Sequence, residues 1–420
     1  MTDQVDERMK HGPLTGVRVV EYGVFHAGPG AGAILGDLGA DVVKIEAKNG
    51  DPERFWTVVG GLSIEDPATG ESIMYEVSNR NKRGICLDIK TPRGREVLEK
   101  LVAGADVFLT NLRKSTKTKL NIDYESIRAL NPRIIHANVS GYGPDGPAAD
   151  MGAFDPMGQA RSGMMFLSDP ERPQLVHLAV LDQATAIAAS HAVLAALFAR
   201  ERHGVGQEVH VSLFSTGIWL LYANYMCKSM LGTDPSISWV RFENSPLRNN
   251  FQCADGKWIL GVHHPEEKYW ERFCRVTGQE ALLTDPRFAD RPARRKNCRE
   301  LVVIFDAVIA SRTRDEWMKV FTECGLMFSP VQRIEDVFAD PQALECGYVV
   351  EYDHPEKGPM KIPGYPHHFS AAAPATRSFA PALGQHSKEI LAELGYSEEA
   401  VEGLVREGAV RMGAAPAEKD

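Results

Sequence analysis

Between residues 16 and 145, short apolar runs alternate with stretches of helical spacing, and this alternation narrows the fold more than any other feature. GVRVVE (16–21) reads as a buried strand, AGAILGDL as a helix, and DVVKIE (41–46) as a second strand. RGICLDI (83–89) is strand-like. TPRGREVLEKLVAGA (91–105) is a helix with Thr91 as its cap, Pro92 in its first turn and Gly104 near its end. DVFLTN (106–111), the helical YESIRALNP stopped by Pro132, and the strand in RIIHANVSGYG (133–143) continue the series. Strands joined through helices run parallel, so the spacing predicts an α/β fold with an open, mostly parallel sheet covered on both faces.

A long, alanine-rich helix follows at about 183–203, closed by Gly204, and its apolar character predicts burial. QEVHVSLF (207–214) is a strand that completes the sheet. From about 225 the character changes. WILGV reads as one strand, and KYWERFCRVTG, RPARRKNCRELVVIFDAVIASRT and RDEWMKVFTECG as amphipathic helices of a smaller domain. VQRIEDVFADPQAL and LGQHSKEILAELGY are also helical, and the tail AAPAEKD has the composition of a disordered segment. The expected domains are 1–220 for the first part of the large domain and 225–335 for the small one. Residues 336–420 are expected to form a return linker and the rest of the large domain.

The stretch YGVFHAGPGAGAILG holds Gly28, Gly30 and Ala33 in the pattern G-x-G-x-x-A, with Glu46 closing the next apolar run. A dinucleotide fingerprint needs its first glycine at the strand end, where the helix N-terminus meets the pyrophosphate. Here Gly23 to Ala27 intervene, and Pro29 has no N–H to offer a phosphate. A tight packing turn is the better reading, with an NAD oxidoreductase as a distant alternative. There is no G-x-x-x-x-G-K-[ST] and no G-x-S-x-G, so neither an ATP-cleaving loop nor a serine hydrolase has support. The pairs His263–His264 and His367–His368 lack a completing ligand cluster, so no metal is expected. The basic run RPARRKNCRE (291–300) reads as a solvated helix start.

The net charge of -9 and pI near 5.9 argue against nucleic acid or an anionic membrane as main partner. The seven cysteines form no C-x-x-C and read as reduced thiols. The opening MTDQVDERMKHGP has no apolar core of a signal, and the longest apolar stretches read as too short to span a bilayer. A cytoplasmic soluble protein is the expectation.

Several blocks together resemble the family III (CaiB/BaiF, formyl-CoA transferase-like) CoA-transferases. They are PLTGVRVVE (13–21), LGADVVKIE (38–46), NRNKRGICLDIKTPRGREVL (79–98), NPRIIHANVSGYGPDGP (131–147), FDPMGQARSG (154–163), LDQATA (181–186), ALFARERHGVGQEVHVSLF (196–214) and LGQHSKEILAELGY (383–396). LTNLRKSTKTKLNIDYESI is similar to the branch handling 2-hydroxyacyl, aryl or bile-acid CoA thioesters. The resemblance implies a Rossmann-like large domain built from both chain ends, a smaller inserted α+β domain, and an intertwined dimer. It also implies transfer of CoA from an acyl-CoA to a carboxylic acid, with CoA thioesters as substrates and no permanently bound cofactor.

In such enzymes an aspartate forms a mixed anhydride and then an aspartyl-CoA thioester; by resemblance it is Asp182, in VLDQATA. An aspartate at the start of a long helix also reads as an N-cap, where the positive helix end would lower its pKa and keep it ionised. The resemblance places CoA along the loops after the first strands. It assigns Phe25, His26, Leu87, Lys90, Asn111, Arg113, Lys119, Phe154 and Asp155 to CoA or substrate binding. Phe166, Trp219, Tyr222 and Tyr225 read either as an acyl pocket or as core.

Three departures stand out. Lys114–Ser115 replaces the P-G after N-x-R, Ala47 replaces an arginine after K-I-E, and ENSPLRNNF (243–251) shows no glycine-rich flap. The first alternative, an α-methylacyl-CoA racemase, needs a second proton-transferring group where this chain has Phe154. The second is a subunit of a heteromeric transferase rather than a homodimer.

Overall fold

The computed structural model describes residues 7–233, 240–354 and 357–413. The first six residues and the tail AAPAEKD, with its expected disorder, lie outside these. The chain divides into two compact units, one of Met1–Gly232 with Val350–Asp420, the other of Thr233–Val349.

The first unit is built on a seven-stranded sheet. Its strands are β1 (Arg18–Glu21), β2 (Asp41–Glu46), β3 (Lys82–Leu87), β4 (Val107–Thr110), β5 (Ile135–Ser140), β6 (Gln207–Ser212) and β7 (Val410–Arg411). Their order across the sheet is β7-β3-β2-β1-β4-β5-β6. All neighbours are parallel except β7, which runs antiparallel to β3 with Val410 opposite Leu87. In this doubly wound order the strand sequence reverses between β1 and β4, and loops there line a crevice at the strand C-termini.

Helices α1 (Ala27–Asp37), α2 (Ile73–Asn79), α3 (Pro92–Ala103), α4 (Lys114–Lys119), α5 (Tyr124–Leu130), α6 (Asp155–Arg161), α7 (Val180–His203), α8 (Leu213–Leu220) and α9 (Tyr222–Leu231) belong to this unit. Caps set their starts. Thr91 Oγ1 accepts the Gly94 N–H at 3.0 Å, and Asp123 accepts that of Ser126 at 3.0 Å. Two apolar cores result. One joins α1 and α7 through Ala31, Leu35, Leu181, Ala189 and Val193; the other holds Ile85, Val97, Phe108, Ile390 and Leu404.

Helix α7 departs from expectation. Its inner residues are buried, but Ile187 and Phe198 are exposed on the opposite face. It is also long and apolar enough to cross a membrane by length and composition, which the charge-interrupted sequence did not suggest. Its Leu181, Ala186, Ala189 and Val193 are nevertheless locked into the α/β core.

The second unit pairs Trp258–Val262 with Arg248–Gln252 and Phe328–Val331, both antiparallel, so two strands join the one expected from sequence. Helices Glu267–Val276, Cys298–Ile309 and Arg314–Glu323 cover an aromatic core of Phe251, Trp270, Phe273, Phe305, Trp317 and Phe321. The basic run is not wholly solvated: Arg294 is buried and its Nε donates to Glu266 at 2.6 Å. His263 is structural, its ring bonded to Leu247 O at 2.9 Å and to Met327 N–H at 2.8 Å.

Candidate active site

The loop between β1 and α1 begins at the point where the strand order reverses. Asn111, just past β4, reaches across to it. Its Oδ1 accepts the Val24 N–H at 2.9 Å and its Nδ2 donates to Val24 O at 2.6 Å. A Cβ on Gly23 or Gly28 would lie 2.8 or 2.9 Å from Asn111 atoms. Those glycines therefore admit a protein side chain into the crevice where a dinucleotide's pyrophosphate would rest. Gly28 and Gly30 lie inside α1 rather than in a turn before it. Glu46, where a ribose-binding acid would sit, is buried and holds Arg54 through two bonds of 2.8 Å. The glycine pattern thus serves packing.

Beneath the loop lies a buried charge cluster that no sequence motif announced. Lys82 Nζ donates to Glu21 at 2.7 and 2.9 Å, to Asn79 Oδ1 at 3.0 Å and to Pro29 O at 2.7 Å. Lys44 Nζ donates to Asp51 at 2.9 Å, and to Glu21 and Gly23 O at 3.2 Å each. Two lysines thus hold a carbonyl in the loop, Gly23, and one in the first turn of α1, Pro29. Asp51 Oδ1 in turn accepts the N–H groups of Phe25 at 3.1 Å and Glu53 at 3.0 Å.

This anchoring holds Phe25 at φ 58°, and Leu178 and Ala179 are held at 59° and 55°. Among the described residues the other non-glycine positions with positive φ are asparagines, which tolerate it. Such strain of roughly 1–3 kcal/mol per residue persists where surrounding structure enforces it, and it concentrates at functional sites. The two strained turns lead directly into His26 and into the first turn of α7, which carries Asp182.

Asp182 is half-buried, and the structure corrects its expected capping role. It is the third residue of α7, and Asp155, at the start of α6, caps instead. The buried Asp155 Oδ2 accepts the N–H groups of Leu181 at 2.6 Å and Asp182 at 2.9 Å. Asp155 Oδ1 accepts from the Gln159 amide, which also donates to Val176 O at 2.8 Å. The helix end is therefore neutralised by another carboxylate. Burial first, and the Asp155 charge second, push the Asp182 carboxyl up to about 7, opposite to the lowering expected from a helix N-terminus.

His26 is buried against the next residue of α7, Gln183. Its Nδ1 lies 2.8 Å from Ser78 Oγ on α2, and its Nε2 lies 2.8 Å from Gln183 Oε1 on α7. Burial pushes the ring down to about 4, so it is neutral at physiological pH. Cβ atoms on Gly30 would crowd this ring at 3.2 Å and Ala186 at 3.1 Å.

The structure brings Phe25, His26, Phe154, Asp155 and Asp182 together. Phe154 is 53 % exposed and its ring meets Phe25 edge-on at 5.1 Å. Leu87 is a correction: it is fully buried in the second core, leaving no side-chain surface for a ligand. Asn111 lies at the crevice, but its amide is occupied by Val24. Lys90 follows β3, and Arg113 and Lys119 bracket α4; all three are exposed on segments leaving the C-terminal edge of the sheet. The Arg113 guanidinium covers Gly152, where a Cβ would lie 2.3 Å from it. Phe166, Trp219, Tyr222 and Tyr225 are exposed rather than core. Sequence reasoning passed over Glu53, Ser78 and Gln183, since GDPERFW reads as a polar turn and the partners come from separate segments.

The model of CoA-transferase family III matches residues 14–387. The (R)-2-hydroxy-4-methylpentanoate CoA-transferase of Clostridioides difficile is 32% identical over 95% of this chain and 99% of its own length. The succinate–glutarate CoA-transferase of Agrobacterium fabrum is 33% identical over 94% of this chain and 98% of its own. The crystal structure of a CAIB/BAIF family protein from Brucella suis superposes with a TM-score of 0.81 at 31% identity, covering 92% of this chain and 100% of that one. With a match of this extent to sequence and structure alike, the chain belongs to the family III CoA-transferases.

Proposed function

We propose that this enzyme transfers CoA between carboxylic acids with Asp182 as its nucleophile. The observation that carries the reading is the position of Asp182: a half-buried carboxylate on the first turn of α7, entered through the strained Leu178 and Ala179, its backbone held by Asp155 and its neighbour Gln183 held by His26. A carboxylate is a weak nucleophile, so rate depends on orientation and on exclusion of water.

An Asp182 oxygen attacks the donor thioester carbon, and CoA leaves as the thiolate, giving a mixed anhydride. The thiolate attacks the Asp182 acyl carbon, releasing the donor acid and leaving an aspartyl-CoA thioester. The acceptor carboxylate then repeats both steps in reverse, and Asp182 is regenerated. Overall one thioester replaces another, so the net transfer is near balance. The half-buried Phe25 and the exposed Lys90, Arg113 and Lys119 are proposed to flank the bound CoA, with the lysines as point charges for its phosphates.

Asp182→Ala should abolish transfer while leaving the circular dichroism unchanged and the melting temperature no lower, since the half-buried carboxylate it removes does not stabilise the fold at neutral pH. Mass spectrometry should trap CoA on Asp182 in the wild type. Normal turnover by the variant would overturn the assignment. A panel of 2-hydroxy, aryl and dicarboxylic acids, matching the names carried by the relatives, would define the acyl class. A racemase reading requires a proton-transferring group where Phe154 stands, so no deuterium wash-in at C2 is expected without an acceptor acid.

The assembly is proposed to be a homodimer. Trp219, Leu220, Tyr222, Met230 and Leu231 on α8 and α9 are exposed, with Phe198 and Ile187 on α7. A second copy of the chain would cover this apolar face.

A further inference from the structure

The cluster under the loop contains one group that the proposed chemistry leaves unused. Glu53 is fully buried, and neither of its carboxyl oxygens has a completed hydrogen bond. Its neighbours already balance: the Lys44 and Lys82 ammonium groups face the Glu21 and Asp51 carboxylates, two charges of each sign. A third carboxylate there would be uncompensated. Burial first, then the Asp51 charge, push Glu53 up to about 8, so it is a carboxylic acid at neutral pH. Ser78 lies beside it without a completed hydrogen bond to it, its Oγ being 2.8 Å from His26 Nδ1.

The contacts of His26 fix a direction of hydrogen bonding. Gln183 Oε1 can only accept, so the neutral ring carries its proton on Nε2 and its Nδ1 accepts the Ser78 O–H. The Ser78 oxygen is then left to accept, and a protonated Glu53 beside it is the group that can supply a proton without competing for that O–H. With its oxygen so engaged, Gln183 turns its NH2 away from His26. Gln183 is exposed and adjoins Asp182.

We propose that Gln183 donates a hydrogen bond to the oxygen of the acyl carbon under attack by Asp182, and that Glu53, Ser78 and His26 are positioning residues that set its orientation. The inference rests on Asp182 being the nucleophile. As the Asp182 oxygen bonds to the thioester carbon, the C=O electron pair moves onto oxygen, where the Gln183 N–H stabilises it. Collapse restores the carbonyl and breaks the C–S bond, releasing CoA thiolate; no proton is transferred.

Gln183→Met should lower kcat about a hundredfold, the usual loss for one oxyanion donor, with KM for the acyl-CoA little changed. Ser78→Ala, which frees the His26 tautomer, should lower kcat about tenfold. Glu53→Gln keeps a donor toward Ser78 and should retain kcat within about threefold, while Glu53→Leu should match Ser78→Ala. Nitrogen-15 NMR of the wild type, with the His26 signal identified by its loss in His26→Gln, should show a neutral, Nε2-protonated ring. A wild-type kcat in a folded Gln183→Met, or an Nδ1-protonated His26, overturns the proposal. If Asp182→Ala is active, the nucleophile assignment itself fails. If Asp182→Ala is inactive and Gln183→Met is fully active, only the role of Gln183 fails.

Discussion

At the scale of residues, Asp182 is governed by opposing influences. A first-turn position favours a carboxylate, but burial and the Asp155 charge disfavour it and win. The sign follows directly. The nucleophile must be ionised, so kcat/KM should rise with pH through an apparent pKa of about 7 and level off above it. Folding stability tied to this group changes the other way, falling as pH rises from about 4 to about 7. Asp155→Asn removes the like charge while its amide oxygen can still accept the Leu181 and Asp182 N–H groups. The midpoint should therefore move to lower pH, though not as far as a free aspartate, because burial is the larger cause. Initial rates between pH 5 and 9 test this; an unmoved midpoint would leave burial as the sole cause. The sequence carried Asp182 through a resemblance, but not its environment. Asp155 is 27 residues away in the chain, and no local pattern shows that it, rather than Asp182, binds the helix end.

At the scale of elements, the sequence was legible where the physics is local. The apolar runs of β1, β2 and β4 are buried strands, and Thr91, Pro92 and Gly104 bound α3 as expected. It was less legible where glycine serves close approach. In α1 the glycines do not cradle a ligand; they let the helix lie against Asn111, α7 and the Glu21–Lys82 pair. A Cβ on Gly32 would stand 2.0 Å from Glu21 Oε2 and 3.2 Å from Lys82 Cε. Both groups are fully buried, and their partners fix them. Gly32→Ala should therefore destabilise the protein by about 3 kcal/mol through overpacking and disruption of the buried pair, readable by chemical denaturation. Gly30→Ala meets only the His26 ring and Ala186, each above 3.0 Å. It should cost less stability, about 1 kcal/mol, but lower kcat by displacing His26. Equal effects of the two on stability would mean that α1 shifts as a rigid body to relieve both.

At the scale of the molecule, the mostly parallel sheet follows from the strand–helix alternation but its strand order does not, and the dimer proposed above entered the sequence reading only through resemblance. The physical case for a dimer comes from α7, α8 and α9. A helix in a soluble unit normally turns one apolar stripe inward and a polar face outward. Here α7 buries Leu181 and Val193 yet exposes Ile187 and Phe198. Helices α8 and α9 expose Trp219 at 72%, Met230 at 73% and Leu231 at 70%. Patches of this kind mark interaction surfaces. Since α7 also carries Asp182, a partner seated on this face would stiffen the helix that bears the nucleophile. Light scattering should give about twice the chain mass of 46.3 kDa. Replacing Trp219 and Met230 together by aspartate should yield monomers whose transfer activity falls at least tenfold, because two charges on an interface core cost several kcal/mol. A dilution series of the wild type should show activity falling in step with dimer fraction. A monomeric wild type with full activity would mean that the apolar face serves another partner.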